Sequence, residues 1–218
     1  MEIKSKFRNP IARLRQVNGE LLSMLSLLRK PPEWPVPSVD GRLFMRPLRS
    51  YDLLEIANWL EDPQVLRLAF GTDQEDQAVL RLGKIYLTEM DAARCNMLAI
   101  CDPQERLIGF VRFSFFQGNK GRNARIGILL GQKESWNQGL GTSAVQLALH
   151  FLFERKGCRR IELDTAEFNI RAQRCFSKCG FEVIPRERRQ SWMESSDLTP
   201  KVWMELSRSQ WRERQKLR

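Results

Sequence analysis

Residues 136–142, Trp-Asn-Gln-Gly-Leu-Gly-Thr, carry the strongest chemical signal in the chain. Gly139 and Gly141 allow a tight turn, and the apolar run from Thr142 to Phe153 continues it as a helix. Amides at a helix start lack intrahelical partners, and the helix dipole adds partial positive charge there. The stretch Trp136, Asn137, Gln138, Gly139, Leu140, Gly141 and Thr142 therefore suits a phosphate group. Asn169-x-x-Ala172-x-x-x-Phe176-x-x-x-Gly180-Phe181 follows downstream, with Asn169 placed to cap a second helix. The only histidine, His150, lies in the first of these helices and is read as a packed face residue rather than a general base. Cys175 and Cys179 share a face of the second helix. No His or Cys pair completes a tetrahedral site with them, so both are read as buried and no metal is expected.

These residues need a scaffold. The pattern predicts a strand over Leu43–Pro47, helices over Asp52–Leu60 and Asp76–Met90, and strands over Met97–Cys101 and Leu107–Phe116. Asp102-Pro103-Gln104-Glu105 is a hairpin signal between the last two. A turn through Gly118–Gly121 leads to a strand over Arg125–Leu130, just ahead of the glycine turn. A helix over Thr142–Lys156 then ends at Gly157. A strand over Arg160–Asp164, a helix over Asn169–Cys179, strands over Phe181–Ile184 and Val202–Leu206 and a charged C-terminal helix complete the chain. Alternation of this kind predicts an α/β layer with a mixed sheet. Trp59 and Trp203 are read as core.

The glycine turn and the Asn-Ala-Phe-Gly-Phe block stand beside three further features: the strand Ala124–Gly131, the opening Gly41–Leu48 with Asp52-Leu53, and Trp59–Pro63. Together they resemble the GNAT superfamily of N-acetyltransferases over roughly residues 40–207. The opening is similar to the branch that holds ribosomal-protein N-terminal acetyltransferases and aminoglycoside 6'-N-acetyltransferases. The resemblance implies the GNAT fold, a mixed central β-sheet flanked by helices, and acetyl-CoA as co-substrate. It implies that the pantetheine arm pairs with the backbone of Leu129, Leu130 and Gly131, where a bulge splays this strand from Arg160–Asp164. Amides from Gln138 to Thr142 would hold the pyrophosphate, and Asn169 would contact the pantetheine arm, a role compatible with capping. Trp136 stands where the family pattern begins with Arg or Gln, and Phe176 where the family usually has the Tyr that protonates the CoA thiolate. A phenyl ring cannot give a proton.

The reaction so implied is direct attack of a neutral primary amine on the acetyl thioester, with the amide of Leu129 or Leu130 as oxyanion donor. Many relatives carry Glu at the position of Arg125, which cannot accept a proton. Glu134 and Asp164 are the acidic alternatives for the base. Asp164 shares its spacing to Asn169 with an amine-binding Asp in aminoglycoside acetyltransferases, and equally suits a turn or an Arg partner. The acceptor is then a protein or peptide N-terminus, or a small cationic amine or amino-sugar. The second would use Asp164 and a cleft with Asp73, Glu75 and Asp76, acids that also suit the first turn of a helix. The alternative to an enzyme is a non-catalytic CoA-binding regulatory or scaffold module acting through its basic termini.

Those termini carry the charge. Residues 1–30 hold 7 basic and 2 acidic residues and residues 186–218 hold 9 and 5, so 9 of the net +10 lies at the ends. Such ends suit a ribosome, RNA or membrane surface, or serve solubility. Residues 11–28 space Ile11, Leu14, Val17, Leu21, Leu22, Leu25 and Leu28 as an amphipathic helix that can pack on its own domain, on a second copy as a homodimer, or on a membrane surface. Pro31, Pro32, Pro35 and Pro37 follow as a stiff linker, giving a basic helical extension over 1–38 and an acetyltransferase domain over 39–218. Five cysteines without paired spacing, no run of about 18 apolar residues and no cleaved-signal pattern point to the cytoplasm.

Overall fold

The computed structural model describes residues 34–70, 96–118, 121–185 and 200–216. The amphipathic segment 11–28, the prolines at 31 and 32, the segment 76–90 with Asp73, Glu75 and Asp76, and Trp192 lie outside the described residues. Eight described strands form one sheet: β1 (Val36–Pro37), β2 (Phe44–Pro47), β3 (Met97–Cys101), β4 (Leu107–Gly118), β5 (Gly121–Leu130), β6 (Arg160–Ala166), β7 (Glu182–Val183) and β8 (Lys201–Ser207). Their order across the sheet is β1-β2-β3-β4-β5-β6-β8-β7, antiparallel everywhere except between β5 and β6. Helices α1 (Asp52–Leu60), α2 (Pro63–Phe70), α3 (Leu140–His150), α4 (Ile170–Cys179) and α5 (Arg208–Lys216) flank it. This is the mixed α/β layer expected from the sequence. Among the described residues no helix is long and apolar enough to cross a membrane.

Three of the departures from the reading of the sequence have a clear local reason. Helix α2 was not predicted: Asp62 accepts hydrogen bonds from the Gln64 and Val65 amides at 2.9 and 3.3 Å, and Pro63 takes the first helical position. Asp-Pro here is a cap followed by a residue that needs no donor. The expected linker over 31–38 ends as structure, because Val36 pairs with Met45 and is 3% exposed, and Trp34 packs on Phe151 with ring centroids 5.3 Å apart. The expected domain boundary at 38/39 therefore falls after the first strand of the sheet. Finally, α3 stops at His150 and continues as a π-helical turn, Phe151–Arg155, in which the Lys156 amide donates to Phe151 O at 3.1 Å.

Alternation along the strands sends neighbouring side chains to opposite faces. Leu98, Ile100, Phe113, Ala124, Ile126, Ile161 and Leu163 belong to the main core with Val145 and Leu149 of α3, Phe176 of α4 and Trp211 of α5. Met97, Ala99, Cys101, Phe110 and Leu129 instead join Ile56, Trp59 and Leu60 of α1 and Leu66 of α2. The second layer is tied to the sheet by a buried ion pair. Arg46 Nη1 and Nη2 on β2 donate to Asp52 Oδ2 and Oδ1 at 2.7 and 2.8 Å, with both side chains under a tenth exposed. The Arg49 amide donates to the same carboxylate at 2.6 Å, so Asp52 also holds the start of α1. Removing one member of such a pair strands the other charge in the interior. Asp52→Ala is expected to cost about 3–5 kcal/mol of stability, measured by denaturant unfolding; a loss within the range of a surface substitution would contradict this role.

Candidate functional site

Strands β5 and β6 run parallel, but their pairing covers only Asn123–Arg160, Ala124–Ile161 and Arg125–Glu162. Beyond that point β5 stays on β4 as far as Leu130, and β6 stays on β8 as far as Ala166. The sheet therefore opens between them. Which backbone groups face the opening follows from the two-residue alternation of an antiparallel ladder. The Gly131 amide donates to Ile108 O at 3.1 Å, and in the β4–β5 register Leu129 is paired with Phe110 in the same sense. Leu129 and Gly131 thus give their amides to β4, while Ile128 and Leu130 turn theirs toward the opening. Of the three backbone positions expected there, Leu130 is the one so oriented. Ile128 joins it, and only the register, which the sequence does not print, could have picked it out.

Trp136 fixes this strand end. Its indole Nε1 donates to Leu130 O at 2.8 Å, and the ring packs against the second core cluster. Arg171, in the first turn of α4, stacks on it with its guanidinium carbon 3.9 Å from the ring centroid. The Trp136–Arg171 stack therefore joins the end of β5 to the start of α4, across the opening. Below it, a methyl group on Gly131 would stand 2.0 Å from the Trp59 ring, so only glycine fits this close approach. Asn169 caps α4, its Oδ1 accepting from the Ala172 amide at 3.1 Å, and is 8% exposed.

The glycine turn lies at the same end of the sheet. Gly139 is the N-cap of α3 at φ +80°, a conformation that disfavours any side chain. The Thr142 and Ser143 amides donate to Gly139 O at 3.0 and 3.2 Å, which makes the amides of Leu140 and Gly141 the leading donors of the helix. Arg42, 96 residues away in sequence, reaches this turn: its Nη2 donates to Gln138 O at 2.9 Å. Asp40 beside it accepts from the Ser143 and Ser38 hydroxyls, both at 2.6 Å, which together with Arg42 hold its carboxyl below the usual range. The β1–β2 turn is thus latched onto the glycine turn and brings a guanidinium to it. Arg42 was not among the expected site residues, since no local pattern links it to a turn so far away. Room remains around both glycines: a methyl on Gly139 would meet Arg42 Nη1 at 3.6 Å, and one on Gly141 would meet Cys175 Sγ at 3.5 Å.

The face of the sheet beside the opening is charged. Arg125 is buried beneath Trp203, its guanidinium carbon 4.5 Å from a ring centroid, and it pairs with Glu162 at 3.4 Å. Asp164 lies two residues beyond the last β5–β6 pair and faces Lys201 at 3.5 Å. Continuing the register sets Asp164 level with Gly127, where a methyl group would find nothing within 4 Å. The other expected groups stand elsewhere. Glu134 is exposed on the 3-10 turn Lys133–Ser135, and its carbonyl accepts from Gln138 Nε2. Phe176 is 6% exposed in the main core, with its ring edge-on to Phe181, so it does not line the opening. His150 is exposed at the end of α3, near Trp211.

An opened parallel strand pair, an amide-bearing helix start and a nearby guanidinium suit a ligand with an extended polar arm and phosphates at one end. Comparisons with known proteins identify the family. A model of the acetyltransferase (GNAT) domain matches residues 42–182. A spermidine N-acetyltransferase from Vibrio cholerae, solved with CoA and spermine, aligns with 20% identity over 78% of this chain and 98% of its own, at a TM-score of 0.62. An aminoglycoside acetyltransferase solved with coenzyme A aligns at 20% identity and a TM-score of 0.59, over 79% of this chain and 99% of its own. An uncharacterized protein from Bacillus halodurans aligns at 14% identity and a TM-score of 0.65, over 86% and 96%. At these identities the likeness is one of fold. No curated protein matches the sequence. Arg42→Ala and Gly139→Val are each expected to weaken coenzyme A binding at least ~10-fold, about 1.4 kcal/mol, in titration calorimetry. Wild-type affinity in both variants would show that the turn holds no phosphate.

Proposed function

From the premise that this chain belongs to the GNAT acetyltransferase family, we propose that it moves an acetyl group from acetyl-CoA to the primary amine of a small cationic acceptor. The observation that carries this reading is the parting of β5 from β6 after Arg125 and Glu162, with the Ile128 and Leu130 amides on its edge. Acetyl-CoA supplies an activated acetyl thioester. Its extended arm lies along the open edge of β5 at Ile128, and the amides of Leu140 and Gly141, with Arg42, hold its phosphates. Asn169, fixed by its bond to Ala172, adds a polar contact at the start of α4.

The Leu130 amide is the group we assign to the acyl oxygen as negative charge builds on it. Its carbonyl is taken by Trp136, so this end of the strand offers a donor and withholds an acceptor that would repel the charge. A donor fixed in this way contributes roughly 3–4 kcal/mol of barrier lowering by analogy with other oxyanion sites. The amine approaches over Gly127 and gives its proton to Asp164, directly or through one water. Glu134, on its exposed turn, is the less suited acid. Phe176 and Arg125 remove an acidic hydroxyl and a carboxylate, but neither carries the backbone groups on which the reaction depends, and solvent protonates the leaving thiolate.

Glu162 is taken by Arg125 and Arg160, so Asp164, beside Lys201 at 3.5 Å, is the carboxylate at the opening that a small cationic amine would meet. The neighbours described as spermidine and aminoglycoside acetyltransferases point the same way. The test is release of CoA thiol from acetyl-CoA with two panels of acceptors, polyamines and amino-sugars in one and short peptides in the other. Turnover confined to peptides would replace the small amine by a polypeptide acceptor, and silence in both panels would sink the reading. Gly127→Val, which adds a branched side chain where there is open space at ordinary backbone angles, is expected to raise the acceptor KM at least ~10-fold while leaving coenzyme A affinity unchanged. An unaltered acceptor KM would move the amine's path away from Gly127.

A further inference from the structure

The end of the sheet opposite the opening carries a cluster of cations that acetyl transfer does not use. The Arg159 amide donates to Arg122 O and the Arg208 amide to Arg159 O, both at 2.8 Å. Arginines from the start of β5, the turn ahead of β6 and the start of α5 therefore stand side by side, roughly 5 Å apart along the backbone. Lys156 joins them from the turn after α3. Its ammonium lies 5.2 Å from the Phe151 ring centroid, Arg122 lies 5.1 Å from that of Phe115, and both rings pack on Phe113. Arg159 Nε comes within 3.4 Å of a methyl group placed on Gly121, so its side chain lies against the β4–β5 turn. Burial pushes the neighbouring Cys158 thiol up to about 11, and Arg122, Arg208 and Lys156 are the charges that oppose the shift. Acids do not balance this rim. Glu154 is shared between Arg208 and Arg212, at 3.3 Å from each. Glu162 and Glu205 pair with Arg160, and Glu213 lines a cavity with Arg214 between α3 and α5. Arg122, Lys156 and Arg159 are exposed and have no ion pair among the described residues. Five cations, Arg122, Lys156, Arg159, Arg208 and Arg212, thus face the one carboxylate of Glu154.

We propose that this rim docks the phosphate backbone of single-stranded RNA. A guanidinium fork matches two phosphate oxygens, and a row of forks set by strand pairing suits a flexible phosphodiester chain. Duplex DNA holds its phosphates on a stiff helix, whereas RNA presents flexible single strands. The contact is to the backbone and not to the bases, because Arg122 and Lys156 already cover the Phe115 and Phe151 rings on which a base would stack. A lipid surface is the poorer partner. Among the described residues the exposed large apolar side chains are Val39, Tyr51, Leu54, Phe168, Ile170 and Val183, and none belongs to the rim, which therefore has nothing to insert among acyl chains. Arg122 and Leu130 stand near opposite ends of β5, roughly 25 Å apart. RNA held at the rim leaves the opening uncovered, and the docking does not depend on the acetyl-CoA reading.

The experiment measures binding of the full-length protein to a labelled oligouridine by fluorescence anisotropy, from about 50 to 200 mM salt. Combining Arg122→Glu, Lys156→Glu and Arg159→Glu should weaken binding at least ~10-fold and lower the slope of log K against log salt by roughly 2, the loss of three single-strand phosphate contacts. Thermal unfolding of this variant should match the wild type, since all three side chains are exposed. Gln at the same three positions should give an intermediate affinity, which keeps the test intact if the reversal disturbs folding. Combining Lys4→Glu, Lys6→Glu and Arg8→Glu makes an equal change in net charge in the basic N-terminal segment and should weaken binding less. Equal losses in the rim and N-terminal variants would overturn the proposal, because net charge alone would then account for the binding. So would a wild-type protein that does not bind the oligouridine. Tighter binding to duplex DNA, to polyglutamate or to phosphatidylserine vesicles would overturn it as well, in favour of that other partner.

Discussion

The structure turns on an interruption of backbone hydrogen bonding in the middle of a sheet. Parallel strands inside an α/β protein normally pair along their length, because buried amides and carbonyls left without partners are costly. Here β5 and β6 pair at three positions and then separate, each kept straight by its outer neighbour. The exposed edge of β5 is as a result a ready template for an extended ligand. Its polarity is edited by one side chain. Trp136 satisfies the carbonyl of Leu130, and the Arg171 stack on that indole ties the strand end to the helix across the opening.

Two rigid layers keep the opening in place. On one face α3, α4 and α5 pack through the main core; on the other α1 and α2 pack through the second cluster, clamped by the Arg46–Asp52 pair. Gly131 pressed on Trp59 and Asp40 holding Ser143 connect these layers to the strand end and to the glycine turn. A site positioned by regular elements in this way can hold a donor steady as charge develops, which is the requirement of electrostatic catalysis. The same packing brings Cys175 Sγ within 3.6 Å of the Thr142 hydroxyl at the helix start.

Much of this could be read from residue order. The glycine turn, the capping Asn169, the terminating Gly157 and Gly180, and all the described strands from β2 onward follow from local rules of turn, cap and alternation. Local rules misjudged segments whose signals compete. Asp62-Pro63 can end a helix or begin one, and Pro35 and Pro37 suit a linker or an edge strand. Of the tryptophans, Trp59 is core as expected, whereas Trp203, expected in the core, is half-buried over Arg125, and Trp34 and Trp211 are packed on aromatic partners.

The sequence by itself determined the fold class and the glycine turn, which rest on local patterns whose geometry the chain's own stereochemistry sets, and the GNAT resemblance, which rests on a set of such local motifs taken in order. Only the tertiary structure decided which backbone groups face the opening, since one step of register exchanges Leu129 for Leu130. It also decided that Arg42 reaches a turn 96 residues away, that Arg125 is spent on Glu162 and Trp203, that Phe176 is buried in the core, and that Cys175 meets Thr142. These are contacts between segments distant in sequence, fixed by how the layers pack and invisible to any local rule.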